Sequence, residues 1–366
     1  MDFEFSAEQQ QLKEQARRYL ADKCPTTAVR AILEGSEPFD RALWQGLGEM
    51  GFLGAAIPEE YGGLGLGYLE LCVIAEELGR ALAPVPVSSS IFLVAEILKA
   101  AGSEEQKQKW LPKLASGEAI GTLAIDEGPR HNPAAIATTA SKSGDGWTLS
   151  GTKAFVHEAH GAALFIVAAQ TPDGVGVFAV PADAAGLSLA TRKLTDSRSH
   201  AHVTLANVKV GADAYLGGSD LLDRLLDRAR IVTAAEMLGL AEHSFGVTLD
   251  YLKQRVQFGQ ILATFQALQH RMAELFTRIE LMRTDVEAAL AALDSSTDVP
   301  AMASLAKATA NDTLHLVSRE AIQLHGGIGM TDEFDIGLYM KRARAAQETF
   351  GDIAFNGDRL AKLMGY

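Results

Sequence analysis

The sequence predicts an α+β chain in three segments: a helical N-terminal domain over residues 1–120, a β domain over 121–215 and a helical C-terminal domain over 216–366. Three observations carry this reading. Proline removes a backbone donor and breaks helix interiors, and after Pro181 only Pro300 occurs. Short β-rich runs cluster in the middle, at 147–151 (WTLSG), 164–169 (LFIVAA), 175–180 (VGVFAV) and 202–210 (HVTLANVKV). At the N-terminus, Ser6 and Gln9 are spaced as a capping box, with Leu12, Ala16, Tyr19 and Leu20 following on one helix face.

Glycines interrupt the first helical segment. The GGLGLG run at 62–67 lacks both the GxGxxG spacing and the preceding strand of a dinucleotide loop, so it reads as an interhelical turn. In the β segment, Asp145-Gly146 and Asp173-Gly174 fall between strand-like runs, where Asp-Gly supplies the positive φ that tight hairpins need. The C-terminal segment reads as a bundle of long helices, two of them separated by a loop around Asp294–Pro300. Leu268, Met272, Leu275, Ile279, Met282, Val286, Ala289 and Leu293 alternate spacings of four and three, a heptad stripe. Such a stripe suits either a bundle core or a seam between subunits.

With 366 residues, 48% of them hydrophobic, the chain can bury a core for two or three structural units. A net charge of −13 opposes attraction to phosphate backbones, and no Lys/Arg run offers a local exception, so no nucleic-acid partner is expected. Cys24 and Cys72 have neither metal-ligand nor disulfide spacing, so no metal is expected and a reduced, cytoplasmic location fits. The first residues lack a basic n-region and an apolar h-region, and no apolar run reaches the roughly 18 residues of a membrane span.

Two segments carry chemistry. In Tyr251–Gln266 (YLKQRVQFGQILATFQ) a helix ends in Arg-x-Gln-Phe-Gly and another begins near Phe265-Gln266. Arg255 could pair bidentately with a pyrophosphate, Phe258 could lie against an adenine and Gly259 allows close backbone approach. A capped helix end with an exposed arginine is the plainer alternative. In Ala321–Met330 (AIQLHGGIGM), Gly326-Gly327 ends a long helix: one glycine fits a left-handed C-cap. The pair, with Gln323 and His325, also leaves a polar surface free of side chains on which a flat cofactor could rest.

Together the two segments resemble the acyl-CoA dehydrogenase family, whose signature couples R-x-x-F-G, a downstream F/H-Q and a Q-x-x-G-G helix end. The likeness extends to GFLGAAIPEEYGGLGLGYLELCVIAEELGR at 51–80 and covers nearly the whole chain. It implies an N-terminal helical domain, a central β-barrel-like domain and a C-terminal four-helix bundle, assembled into dimers or tetramers. It implies that Arg255, Gln257, Phe258, Gly259, Gln266, Gln323, Gly326 and Gly327 hold the adenosine and pyrophosphate end of FAD, reaching to a neighbour's flavin. The implied reaction is α,β-dehydrogenation: a carboxylate removes the α-proton of an acyl-CoA thioester, the β-hydride moves to the flavin, and electrons pass to an electron-transfer flavoprotein.

The family's carboxylate is absent from both positions where it is expected. In most relatives the base lies in a Tyr-Glu-Gly-Thr segment, and here Gln347–Asp352 reads QETFGD, with Phe350 in the glutamate's place. Glu348, two residues earlier on a helix, would point about 200° away. A minority of relatives carry the base just before an arginine matched by Arg230, and that residue is Ala229. Glu236 shares a helix face with Ala229 and Thr233, but two turns displace it by roughly 10 Å. Arg230, Thr233 and Glu236 are expected to line the substrate pocket, with Glu236 a weak candidate base. At the flavin-ring end, the family's T-E-P-x-x-G-S-D segment falls at Ile125–Asn132 (IDEGPRHN) and its W-I-T segment at Phe155–His157, so His131 and His157 are possible replacement donors.

Three functions follow. A partner subunit with reduced catalysis would complete a neighbour's FAD site, as in hetero-oligomeric acyl-CoA dehydrogenases of bacterial steroid side-chain degradation, the closer resemblance. A self-sufficient homo-oligomeric dehydrogenase would need a relocated base. A flavin-free acyl-CoA-binding scaffold would leave the FAD motif without a purpose.

Overall fold

A computed structural model describes residues 6–366. The chain forms two compact units. One contains the residues up to Val29, Cys72–Ala83 and Arg230–Tyr366; the other contains Arg30–Leu71 and Pro84–Ala229. These units cut across the three sequence segments, because the first helix joins the unit of the C-terminal helices.

Helices α1 (Ala7–Lys23), α2 (Thr26–Glu34), α3 (Arg41–Glu49), α4 (Tyr68–Arg80), α5 (Val87–Ser89), α6 (Glu96–Ala101) and α7 (Glu104–Ala115) precede the strands. The capping box forms at the start of α1: Ser6 Oγ accepts from the Gln9 amide, and the Gln9 side chain accepts from the Ser6 amide. The GGLGLG run lies between a short 3-10 helix, Glu59–Tyr61, and α4, with Gly62 and Gly65 at positive φ.

The strands are β1 (Gly121–Ala124), β2 (Thr139–Ser143), β3 (Gly146–His157), β4 (Leu164–Thr171), β5 (Gly174–Pro181), β6 (Leu187–Lys193), β7 (Ser199–Val210) and β8 (Tyr215–Gly218). They form one mixed sheet, ordered β6-β7-β3-β2-β4-β5-β8 with β1 parallel to β4. The β2–β3 turn is Gly144-Asp145, since Ser143 pairs with Gly146, and Gly144 supplies the positive φ rather than Gly146. In the β4–β5 turn, Pro172-Asp173 is followed by Gly174 at φ 115°.

The C-terminal helices are α8 (Ser219–Gln254), α9 (Gln266–Ser295), α10 (Val299–His325), α11 (Ile336–Glu348) and α12 (Ile353–Leu363). The heptad stripe on α9 is spent inside the chain: Met272, Leu275, Ile279, Met282, Val286 and Ala289 are all buried. It is therefore bundle core. Phe276 and Leu281, on other faces of α9, stay exposed.

Candidate cofactor and active site

Two sequence motifs meet at the adjoining ends of α8 and α10. After α8 ends, Arg255 leads into a hairpin of two-residue strands, β9 (Val256–Gln257) and β10 (Gln260–Ile261). Its amide donates to the Tyr251 carbonyl and its own carbonyl accepts from Leu262, each at 2.8 Å, so both ends of the hairpin are pinned. The turn residues Phe258 and Gly259 both have positive φ, 55° and 79°. That geometry matches strand twist but usually takes Asn-Gly. For phenylalanine it costs about 1–2 kcal/mol. Little inside the chain offsets this, because Phe258 is 89% exposed and its ring meets only Phe265, edge-on at 6.2 Å, among the described residues.

Tyr251, one turn before Arg255, joins this hairpin to the glycine pair. Its hydroxyl donates to the His325 carbonyl at 3.3 Å, and the two rings lie 4.4 Å apart. The His325 ring also packs against Phe334, 4.7 Å between centroids. Burial lowers its pKa, so the neutral ring donates from Nδ1 to the Ala321 carbonyl at 2.7 Å. His325 ends α10, and Gly326 follows at φ 65° and ψ −139°. This is not the left-handed cap expected from the sequence but a region essentially restricted to glycine.

Arg255, Gln257, Phe258, Gly259, Gln266, Gln323, Gly326 and Gly327 are all exposed. A Cβ added at Gly259, Gly326 or Gly327 would meet nothing within 4 Å, and no described residue pairs with the Arg255 guanidinium. A free bidentate donor, exposed amides and an open glycine surface could together hold a pyrophosphate and its adenosine.

The expected base positions are occupied differently. Phe350 is half-buried in the turn between α11 and α12, at φ 56°, and Ala229 is buried on α8. Glu348 is exposed beside Arg344. Arg230, Thr233 and Glu236 are buried on α8, and the Arg230 guanidinium lies over the Phe355 ring at 5.6 Å. Glu236 Oε1 accepts from Arg342 at 2.8 and 3.1 Å.

At Ile125–Asn132 the carboxylates serve their own loop. Asp126 faces His131 Nδ1 at 2.9 Å and accepts from the Asn132 amide at 3.0 Å. Glu127 accepts from the Ala137 and Thr138 amides and from Lys153 Nζ at 2.7, 2.9 and 2.7 Å. Burial alone would raise Glu127, but the hydrogen bonds from Lys153 and Thr138 hold it down at about 2. His157 Nδ1 lies 2.8 Å from His200 Nε2, so one ring nitrogen of each candidate donor histidine is engaged within the chain. Cavities of about 130 Å³, beside His160 and Arg192, and about 330 Å³, beside Trp110 and Lys209, include none of the site residues expected from the sequence.

Sequence reasoning missed the hairpin and a buried amine, Lys307 on α10, four residues before Asn311 on the same apolar face. A lone lysine–asparagine pair among Ala303, Ala306, Ala310 and Leu314 was the available signal.

Family models of the acyl-CoA dehydrogenase N-terminal, middle and C-terminal domains match residues 6–118, 125–208 and 217–364. The chain belongs to the acyl-CoA dehydrogenase family. Its members are FAD-dependent oxidoreductases. Acyl-CoA dehydrogenase FadE27 of Mycobacterium tuberculosis is 31% identical over 336 residues, 90% of this chain and 89% of that one. Among solved structures, a variant of the Tcur3481-Tcur3483 steroid ACAD is 38% identical with a TM-score of 0.92, covering 98% of this chain and 97% of that chain. The ChsE4-ChsE5 complex from Mycobacterium tuberculosis is 28% identical with a TM-score of 0.95, covering 100% of both chains. Among the described residues of this acyl-CoA dehydrogenase, no helix is long and apolar enough to cross a membrane, and no group of three or more His, Cys, Asp or Glu could hold a metal ion.

Proposed function

We propose that this chain is a subunit of a hetero-oligomeric, cytoplasmic acyl-CoA dehydrogenase, in which it completes a neighbouring chain's FAD site while contributing little catalysis itself. One observation carries the reading. The surface built from the Arg255 hairpin and Gly326-Gly327 is exposed and its guanidinium has no partner among the described residues, whereas Phe350 and Ala229 stand where a base is expected. The likeness to a named two-component complex supports it.

In this role Arg255 pairs with the pyrophosphate, Phe258 covers the adenine, and the glycines admit the backbone close to the cofactor, with Gln257, Gln266 and Gln323 as amide donors. Bound FAD supplies the hydride acceptor. Arg230, Thr233 and Glu236 line the acyl-CoA thioester's side of this unit, and an electron-transfer flavoprotein removes the electrons. A self-sufficient enzyme with Glu236 as a relocated base is the second reading, favoured by that residue's burial on α8 and opposed by its pairing with Arg342.

Arg255→Ala is expected to weaken FAD retention by about 1.5–3 kcal/mol, tenfold or more in Kd, in the assembled complex. Flavin content after dialysis against dilute FAD is the measurement. Content equal to that of the unaltered complex would remove Arg255 from the cofactor site.

A further inference from the structure

We propose that Lys307 is a positioning residue that locks the turn carrying Phe350 in its left-handed backbone conformation. Lys307 is fully buried on α10. Its Nζ lies 2.7 Å from Asn311 Oδ1 and 3.1, 3.2 and 3.3 Å from the carbonyl oxygens of Gly351, Ala346 and Gln347. All four neighbours are acceptors, which suits the protonated amine, whose three N–H bonds can only donate. Ala346 and Gln347 belong to the last turn of α11, where carbonyls lack helical partners. Lys307 therefore caps a helix from a different element.

The far side of the turn is fixed as firmly. The Gly351 carbonyl also accepts from Asn311 Nδ2 at 3.2 Å and Asn356 Nδ2 at 2.8 Å, and the Asp352 side chain caps α12 by accepting from the Phe355 amide at 2.8 Å. Between these anchors, Phe350 sits at φ 56° and Gly351 at φ 105°. Such a conformation is disfavoured for phenylalanine and persists only where its surroundings over-determine it.

The chemistry of the site argues that Lys307 is kept for geometry. Burial, reinforced by the Arg230 guanidinium, pulls the amine from its usual 10.5 to about 7; Glu348 and Asp352 oppose this, and Arg342 adds to it. An apolar side chain would avoid that penalty but would take this donor from the Ala346 and Gln347 carbonyls and from Asn311 Oδ1, while the Gly351 carbonyl would keep only Asn311 and Asn356. The lock concerns this chain's backbone and stands whichever chain completes the flavin site.

Amide hydrogen exchange on the full chain tests it, comparing the unaltered protein with Lys307→Met, Phe350→Gly and the double variant. Lys307→Met is expected to lose at least about tenfold protection across 349–355 while α9 keeps its own, because only the turn loses its anchor. Glycine adopts positive φ freely, so Phe350→Gly should restore most of that protection in the Lys307→Met background and change little alone. Unchanged protection in Lys307→Met would overturn the lock. So would a loss that Phe350→Gly leaves in place, since that would mark Lys307 as packing. If Lys307→Met fails to fold, recovery of a folded double variant supports the lock, and failure of the double variant overturns it.

Discussion

Assayed alone, the chain should oxidise acyl-CoA thioesters about 10²–10⁴-fold more slowly than a relative carrying glutamate at the position of Phe350, the usual effect of losing a general base. Phe350 cannot accept a proton, Ala229 is a buried methyl, and Glu348 is exposed on α11. Glu236 is the carboxylate with the best claim, yet Arg342 donates twice to one of its oxygens. Taking the α-proton would neutralise its half of that buried ion pair and leave the Arg342 charge uncompensated, which commonly costs several kcal/mol. An anaerobic flavin-bleaching assay with straight-chain, branched and steroid-derived acyl-CoAs measures the rate. Rapid bleaching by the chain alone would contradict the reading, and its abolition by Glu236→Gln would identify the relocated base.

Ile279→Asp should unfold the C-terminal helices. Ile279 is 3% exposed and sits in the α9 stripe between buried Leu275 and Met282. A carboxylate there loses the apolar contact of the isoleucine and is desolvated without a partner, a combined cost of roughly 3–5 kcal/mol or more. That is a large part of the 5–15 kcal/mol that typically separates folded from unfolded states. Circular dichroism on heating should show a lowered or absent transition. A folded variant that sediments as a dissociated chain would instead make the stripe a subunit seam.

The strands that the sequence revealed are those whose apolar residues face a core: β3, β4, β5 and β7 all contain runs rich in Val, Leu, Phe and Ala. The missed ones lack that signal. β2 (TASKS) and β6 (LSLATRK) are almost wholly exposed, and β1 and β8 have four residues each. The Arg255 and Gly326 motifs stand out in the sequence because glycine and a bidentate cation at this spacing suit a phosphate-bearing ligand, the role proposed for them. Their meeting was not, since it depends on Tyr251 reaching a carbonyl 74 residues away. The hairpin was hidden because its turn uses Phe258 where Asn would announce it. Lys307 was hidden because a lysine in a helix reads as solvated until its carbonyl partners, on α11 and in the turn beyond, are known.

The partner role is tested most directly by the flavin-to-polypeptide ratio of the purified chain, alone and after co-expression with a homologous acyl-CoA dehydrogenase chain. The Arg255 surface serves a neighbour's FAD in this account, so the chain alone should retain little flavin, and the co-purified complex should hold flavin that Arg255→Ala releases. A full complement of FAD on the chain by itself, undiminished by Arg255→Ala, would contradict it.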